Sequence, residues 1–364
     1  MTERILNIAC FISPHGFGHA ARMCALIESL KHVCPTLKFH ICTTVPKWFF
    51  DESLSFKYDY HKIQTDVGLV QIDPINIDHQ LSIAELKSFY PLKDVQVHNA
   101  STLLKRINAS MCLCDISPLG IQAARNTNIP AVLLKNFTWD WIYKQLGEYH
   151  TEYLPIAQAI ENLFQPAVHI RLRPECPTTH PYDSIIGPIA RNPTMDRIAI
   201  RNRLNVPVDK PLVFIAFGGV EHDASLQLDK LDSTFHVVMY SNNLAKYEGM
   251  NLTCLTRQSG IRSQDLLAAS DLVIGKPGYS TVSEVVTNGI PFMYIPRPGF
   301  PESSYLEEYV QKYVSVKRIT HLELMHGDWI SSVPDLLHME CRSPVKPQND
   351  LLAETVLHQI TNLL

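Results

Sequence analysis

Two histidines frame a glycine turn directly after the first apolar run of the chain, in Ser13-Pro14-His15-Gly16-Phe17-Gly18-His19-Ala20-Ala21-Arg22. Gly16 and Gly18 permit a tight turn and the close approach of a ligand to the backbone. Imidazoles here have three uses. His15 and His19, four apart, could ligate a metal from a helix, but the glycines between them argue for a loop. They could be solvated loop residues. Or His19 could be a base that takes a proton near neutral pH. A second constellation is Cys114-Asp115-Ile116-Ser117-Pro118-Leu119-Gly120, where an apolar run gives way to a helix signal. An aspartate at a strand end can orient His19 and stabilise its imidazolium, or it can cap the following helix.

The third constellation runs from Asp271-Leu-Val-Ile-Gly-Lys-Pro-Gly278 through Tyr279-Ser280-Thr281-Val-Ser-Glu284 to Gly289-Ile290-Pro291. It reads as a strand, a glycine turn and a helix with hydroxyls on its first turn. Free backbone N–H groups, small hydroxyls and the helix dipole together suit a diphosphate. Glu284, one turn further in, can accept hydrogen bonds from two ribose hydroxyls; an ordinary helix cap with an exposed glutamate is the bland alternative. Gly218 and Gly219, just past another apolar run, would offer backbone amides to the same phosphates.

The elements that must position these loops follow from the spacing of apolar residues. Short apolar runs alternate with amphipathic stretches from end to end, the pattern of βαβ units and parallel sheets. Strands are expected at 4–13, 37–44, 110–116, 130–135, 212–217, 235–240, 271–275 and 291–296. Helices are expected at 19–33, 118–128, 151–164, 280–289 and 349–363. The Pro- and Gly-dense segment 173–193 reads as a linker. Two doubly wound halves result, with ligand expected at the carboxyl ends of the strands, in the crevice between them.

Composition narrows the partners. The 364 residues are 46% hydrophobic and 19% charged, with a formal net charge of −4. There is no basic stripe with interleaved aromatics, so nucleic acid is not an expected partner. No run of 18 apolar residues occurs and the N-terminus lacks a signal-peptide pattern. The nine scattered cysteines, with Cys112 and Cys114 lacking a second pair for zinc, read as reduced thiols of a cytoplasmic protein.

With these loops placed, the chain resembles the glycosyltransferase-B (GT-B) superfamily over nearly its whole length. The Gly278–Glu284 series with Gly289-Ile290-Pro291 is similar to the donor loop of peptidoglycan N-acetylglucosaminyltransferases, which implies donor contacts for Gly278, Tyr279, Ser280, Thr281 and Glu284. Gly18-His19 before an apolar helix resembles the segment carrying the catalytic histidine of plant nucleotide-sugar glycosyltransferases, and Asp115 matches the rough location of their orienting aspartate. The segments His15–Ala20, Asn136–Tyr143 and Gly275–Tyr279, with the Trp329 and Phe300-Pro301-Glu302 regions, look like the N-terminal half of plant L-arabinokinases. Those enzymes continue into a sugar-kinase domain with a glycine-rich ATP loop; these residues show none, and sugar phosphorylation is not expected.

The resemblance implies an α/β fold of two Rossmann-like domains facing across a cleft. Residues 1–190, joined by the helix at 349–364, would form the acceptor side, and 191–348 the donor-binding domain. It implies an inverting transfer from a nucleoside diphosphate sugar to an acceptor hydroxyl, with no metal and no further cofactor; no Asp-x-Asp pair occurs. His19 and Asp115 would be catalytic. Glu302 would reach the donor sugar hydroxyls. His15, Gly16 and Gly18 would line the acceptor side, as would Trp139 and Asp140, which read equally as the start of a buried helix. A non-catalytic nucleotide-sugar binding module and a nucleotide-sugar epimerase are the alternatives.

Overall fold

The first apolar run, Asn7–Ile12 (β1), is buried at every position after Asn7, as a strand covered on both faces must be. It opens a computed structural model that describes residues 6–178, 180–217, 226–241, 251–256, 259–339 and 342–363. The chain divides into two compact units. One comprises Met1–Val70, Ile77–Ala190 and Pro347–Leu364, the other Gln71–Asn76 and Arg191–Lys346.

In the first unit β1 is joined by Lys38–Thr43 (β2), Asp59–Lys62 (β3), Ala109–Asp115 (β4), Ala131–Lys135 (β5), Val168–Leu172 (β6) and Ser184–Ile186 (β7). The order is β3-β2-β1-β4-β5-β6-β7, and every pairing is parallel. The direction of winding reverses between β1 and β4, where Ile12 pairs with Asp115. Side chains that follow these two strand ends therefore share the crevice a doubly wound sheet leaves open. Helix Gly18–Val33 presents Ala20, Ala21, Met23, Leu26, Ile27 and Leu30 to the core. Leu352, Ala353, Val356 and Ile360, one face of the last helix Asn349–Leu363, pack into that same core. Asn349 ties this return in place, donating from Nδ2 to Ala190 O and accepting from Ala190 N.

The second unit holds Leu212–Ala216 (β8), His236–Tyr240 (β9), Leu252–Leu255 (β10), Leu272–Gly275 (β11), Phe292–Tyr294 (β12) and Val316–Arg318 (β13). They form a parallel sheet in the order β10-β9-β8-β11-β12-β13, which reverses between β8 and β11. Period-two alternation supplies a core to each face. Leu212, Phe214, Val238 and Val273 enter one, and Val213, Ile215, Val237, Leu272 and Ile274 the other.

Two expectations are corrected here. The segment 173–193 is not only a linker, because its residues Ser184–Ile186 add β7 to the edge of the first sheet. A three-residue edge strand bonded on one side has too few apolar positions to show through flanking prolines. The helix expected at 151–164 is shorter, Tyr153–Glu161. Among the described residues no helix is long and apolar enough to cross a membrane.

Candidate active site

His19 lies on the first turn of helix Gly18–Val33, not in the loop, and only 5% of it is exposed. Gly16, at φ 67°, makes the left-handed turn that carries the chain from β1 into that helix. Asp115 is the last residue of β4 and is fully buried. The reversal between β1 and β4 brings the two together, with His19 Nδ1 2.7 Å from Asp115 Oδ1. A carboxylate can only accept, so Nδ1 carries the proton and donates it. Arg22, three residues on along the same helix face, donates through Nε to Asp115 Oδ2 and through Nη2 to Oδ1. Arg22 Nη2 also lies 2.9 Å from His19 Nδ1, but a protonated Nδ1 cannot accept, so both groups serve the carboxylate. Among the described residues His19 Nε2 makes no hydrogen bond, and it is not one of the sealed, unpaired polar atoms.

Burial pushes the His19 imidazole below its ordinary value, Asp115 opposes that, and the Arg22 charge adds to it. The ring is therefore neutral at physiological pH, with a lone pair on Nε2. Burial acts in the opposite sense on Asp115, but Arg22 and His19 outweigh it and hold the carboxyl below the usual range. The helix-cap alternative for Asp115 does not apply, since Ser117 caps helix Pro118–Asn126 by accepting from Gly120 N–H. Between them Ile116, fully buried and β-branched, sits at φ 52°. That conformation is strained by roughly 1–3 kcal/mol for a branched side chain, and such strain concentrates at functional sites.

A second buried carboxylate stands close by. Asp66 accepts from Ser13 Oγ at 3.0 Å and from Trp139 Nε1 at 3.2 Å. Burial pushes it up to about 8, and the charge of Asp115 adds to the rise. His15 accepts at Nδ1 from Leu69 N–H and packs edge-on to Trp139. The two ring centres are 6.5 Å apart, and among the described residues no group of three or more His, Cys, Asp or Glu side chains is placed to hold a metal ion. Of the two readings of Trp139 and Asp140, the structure takes the second: they begin a buried helix, Trp139–Leu146. Each is only 1% exposed; Trp139 is stacked with Tyr143, and Asp140 pairs with His180 Nε2.

In the second unit β11 ends at Gly275, and Gly278 is the N-cap of helix Tyr279–Asn288. The backbone at Gly278 is extended, open to any residue, and a Cβ there would meet nothing within 4 Å. Neither strain nor packing demands glycine here. The Ser280 and Thr281 hydroxyls are half-buried and make no hydrogen bond among the described residues, on a first helical turn whose backbone N–H groups have no intrahelical acceptor. Glu284 is 4% exposed, which excludes the exposed-cap alternative. Arg191 Nε donates to its Oε1 at 2.8 Å, and among the described residues no hydrogen bond reaches Oε2. Glu302 is buried as the residue preceding helix Ser303–Tyr313. Gly218 and Gly219 lie outside the described residues. Sequence reasoning missed Arg22, Asp66 and Arg191. Of these Arg22 alone left a local signal, its i+3 spacing from His19.

Two doubly wound parallel sheets in succession are the architecture of the GT-B fold. Solved structures agree. The spinosyn forosaminyltransferase SpnP superposes with a TM-score of 0.63 at 13% identity, over 98% of this chain and 95% of that one. The glycosyltransferase VinC in complex with dTDP gives 0.60 at 12%, over 98% and 96%. A UDP-glucosyltransferase from Polygonum tinctorium gives 0.59 at 12%, over 100% and 94%. Among curated proteins, an L-arabinokinase of Arabidopsis thaliana is 26% identical over 334 residues, 90% of this chain. Those residues are 32% of that protein, so the chain spans about a third of its relative's length. No family model matches the chain.

Proposed function

We propose that this chain is an inverting, metal-independent glycosyltransferase that moves a sugar from a nucleoside diphosphate donor to an acceptor hydroxyl. The first unit is assigned the acceptor side and the second the donor side. The observation that carries the reading is the buried His19–Asp115 pair, with a neutral ring whose Nε2 has no hydrogen-bond partner among the described residues. The acceptor hydroxyl gives its proton to Nε2, and its oxygen attacks the anomeric carbon from the face opposite the diphosphate. The glycosidic bond to the diphosphate breaks through an oxocarbenium-like transition state. Asp115 holds the ring in the required tautomer and stabilises the imidazolium.

The leaving diphosphate is received by the first-turn amides of helix Tyr279–Asn288, the Ser280 and Thr281 hydroxyls and the helix dipole, which take the place of a metal. Glu284 Oε2 accepts from the ribose, while Arg191 fixes the carboxylate through Oε1. VinC was solved with dTDP, a ligand of this class. The eight described cysteines are free and six are buried, which supports a reducing, cytoplasmic setting. The test is release of nucleoside diphosphate from a panel of nucleotide sugars by the purified protein, with and without acceptors. Acceptor-dependent release supports the reading. Tight nucleotide binding without any release supports the binding module instead.

A further inference from the structure

Beside the proposed diphosphate site, the second unit buries charges that the mechanism above does not use. Arg297, three residues past β12, is 5% exposed, and Glu302 is 6% exposed. Their closest approach, Arg297 Nη1 to Glu302 Oε1, is 3.8 Å, too long for a hydrogen bond. Arg297 spends Nε on Pro74 O, and its guanidinium lies over the Phe300 ring. Arg297 Nη2 and Glu302 Oε2 are buried with no partner. Lys276, the residue directly after β11, is half-buried, and its ammonium makes no hydrogen bond among the described residues. The nearby Asp73 is committed elsewhere, to the backbone N–H groups of Ile75 and Asn76 and to Asn76 Nδ2.

Buried polar atoms of charged groups left without a hydrogen bond are costly, and native proteins rarely keep them so. Two cations here face one buried carboxylate, Glu302, while the charge of the half-exposed Asp73 acts on both from further off. A neutral sugar hydroxyl would offset neither positive charge, whereas one carboxylate can accept from both cations. Glu302 Oε2 is then free to accept from a hydroxyl on the neighbouring ring carbon. A hexuronate carries that pair, a carboxylate on C5 beside the C4 hydroxyl. We infer that Lys276, Arg297 and Glu302 form a sugar-acid subsite, so that the donor is a nucleoside diphosphate hexuronate. The inference rests on the reading of helix Tyr279–Asn288 as the diphosphate site.

Protonation gives a second signature. Burial and the Arg297 charge push Lys276 down to about 7, against the pull of Glu302 and Asp73. A bound carboxylate favours the ammonium form, so hexuronate affinity rises as pH falls from about 8 toward 6, and binding takes up a proton.

The experiment is calorimetric titration of the full chain. UDP, GDP, ADP, CDP and dTDP find the base; the hexose and hexuronate donors of that base follow, for example UDP-glucose and UDP-glucuronate. The hexuronate should bind at least about tenfold tighter than the hexose, as expected for a charge-assisted pair. In Lys276→Met that ratio should shrink to within about threefold while nucleoside diphosphate affinity holds, and Lys276→Arg should restore part of the preference. The wild-type pH dependence keeps the test valid if Lys276→Met fails to fold. Equal or tighter binding of the hexose, or a Lys276→Met loss shared equally by the bare nucleoside diphosphate, overturns the subsite alone; failure of every nucleoside diphosphate to bind overturns the diphosphate reading beneath it.

Discussion

Arg22 donates to both oxygens of the Asp115 carboxylate, through Nε to Oδ2 and through Nη2 to Oδ1, each at 2.5 Å. Because His19 and Arg22 stand one turn apart on the same helix, a single buried carboxylate receives both. The guanidinium fixes the carboxylate plane against which the imidazole is set, and its charge offsets the pull that Asp115 exerts on the His19 proton. The arrangement keeps His19 oriented yet neutral.

Replacing Arg22 by Met should therefore raise the His19 pKa toward its ordinary value. The acid limb of a kcat/KM profile for transfer, which reports deprotonation of the base, should move to higher pH. Arg22→Lys, which keeps the charge but not the fork, should move it less. An unshifted limb in Arg22→Met, at full folding, would separate Arg22 from the proton transfer.

Gly278 offers a test in which folding and binding part company. Its backbone suits any residue and a Cβ meets no atom of the described residues within 4 Å, so Gly278→Ala should fold with stability within about 0.5 kcal/mol of wild type. If a diphosphate approaches this turn, the added methyl occupies ligand space and affinity should drop at least tenfold, about 1.4 kcal/mol. Unchanged nucleoside diphosphate affinity would move the phosphates elsewhere.

Glu284 tests the ribose contact. Glu284→Ala should weaken nucleoside diphosphate binding by roughly 1–3 kcal/mol, the loss of a hydrogen bond to a charged group. Inorganic pyrophosphate, which has no ribose, should bind the variant nearly as it binds wild type. Equal losses for both ligands would assign Glu284 to the phosphates or to folding.

How much of this was readable in the sequence depended on burial and on range. Strands β1, β4, β5, β8 and β11 announce themselves because each is covered on both faces and so nearly continuously apolar. Strand β3, with the sequence Asp-Tyr-His-Lys, and β13, Val-Lys-Arg, lie at sheet edges and carry polar side chains, which leaves no apolar run to detect. His19 stands out because it follows a recognisable strand across a glycine turn, and Asp115 because it ends one. Asp66 did not, since its partners Ser13 and Trp139 are 53 and 73 residues away and no local spacing encodes them. Trp139 drew attention as an aromatic surface, yet its indole N–H finds Asp66 and the ring goes inside.

Asp66 also carries a stability prediction. Its folded pKa, about 8, lies above its value in an unfolded chain, so the folded state holds the proton more tightly. The associated stability is fully present below about pH 4 and is lost as pH rises through about 8, at up to about 1.4 kcal/mol per pH unit. Asp66→Asn removes the titration, so its stability by chemical denaturation should lack this component across that window. Parallel curves for the two proteins would show that Asp66 stays ionised in the fold.

The most direct measurement is the turnover of His19→Ala beside wild type, on the donor and acceptor that the release assay identifies. The variant keeps the whole second unit intact, so nucleoside diphosphate affinity should be nearly unchanged. Transfer should fall by roughly 10²–10⁴-fold, the usual contribution of a positioned base. Combining it with Asp115→Ala should add little, because a residue that acts through His19 has nothing left to orient. Full turnover by His19→Ala on a verified acceptor would contradict the account and place the base elsewhere.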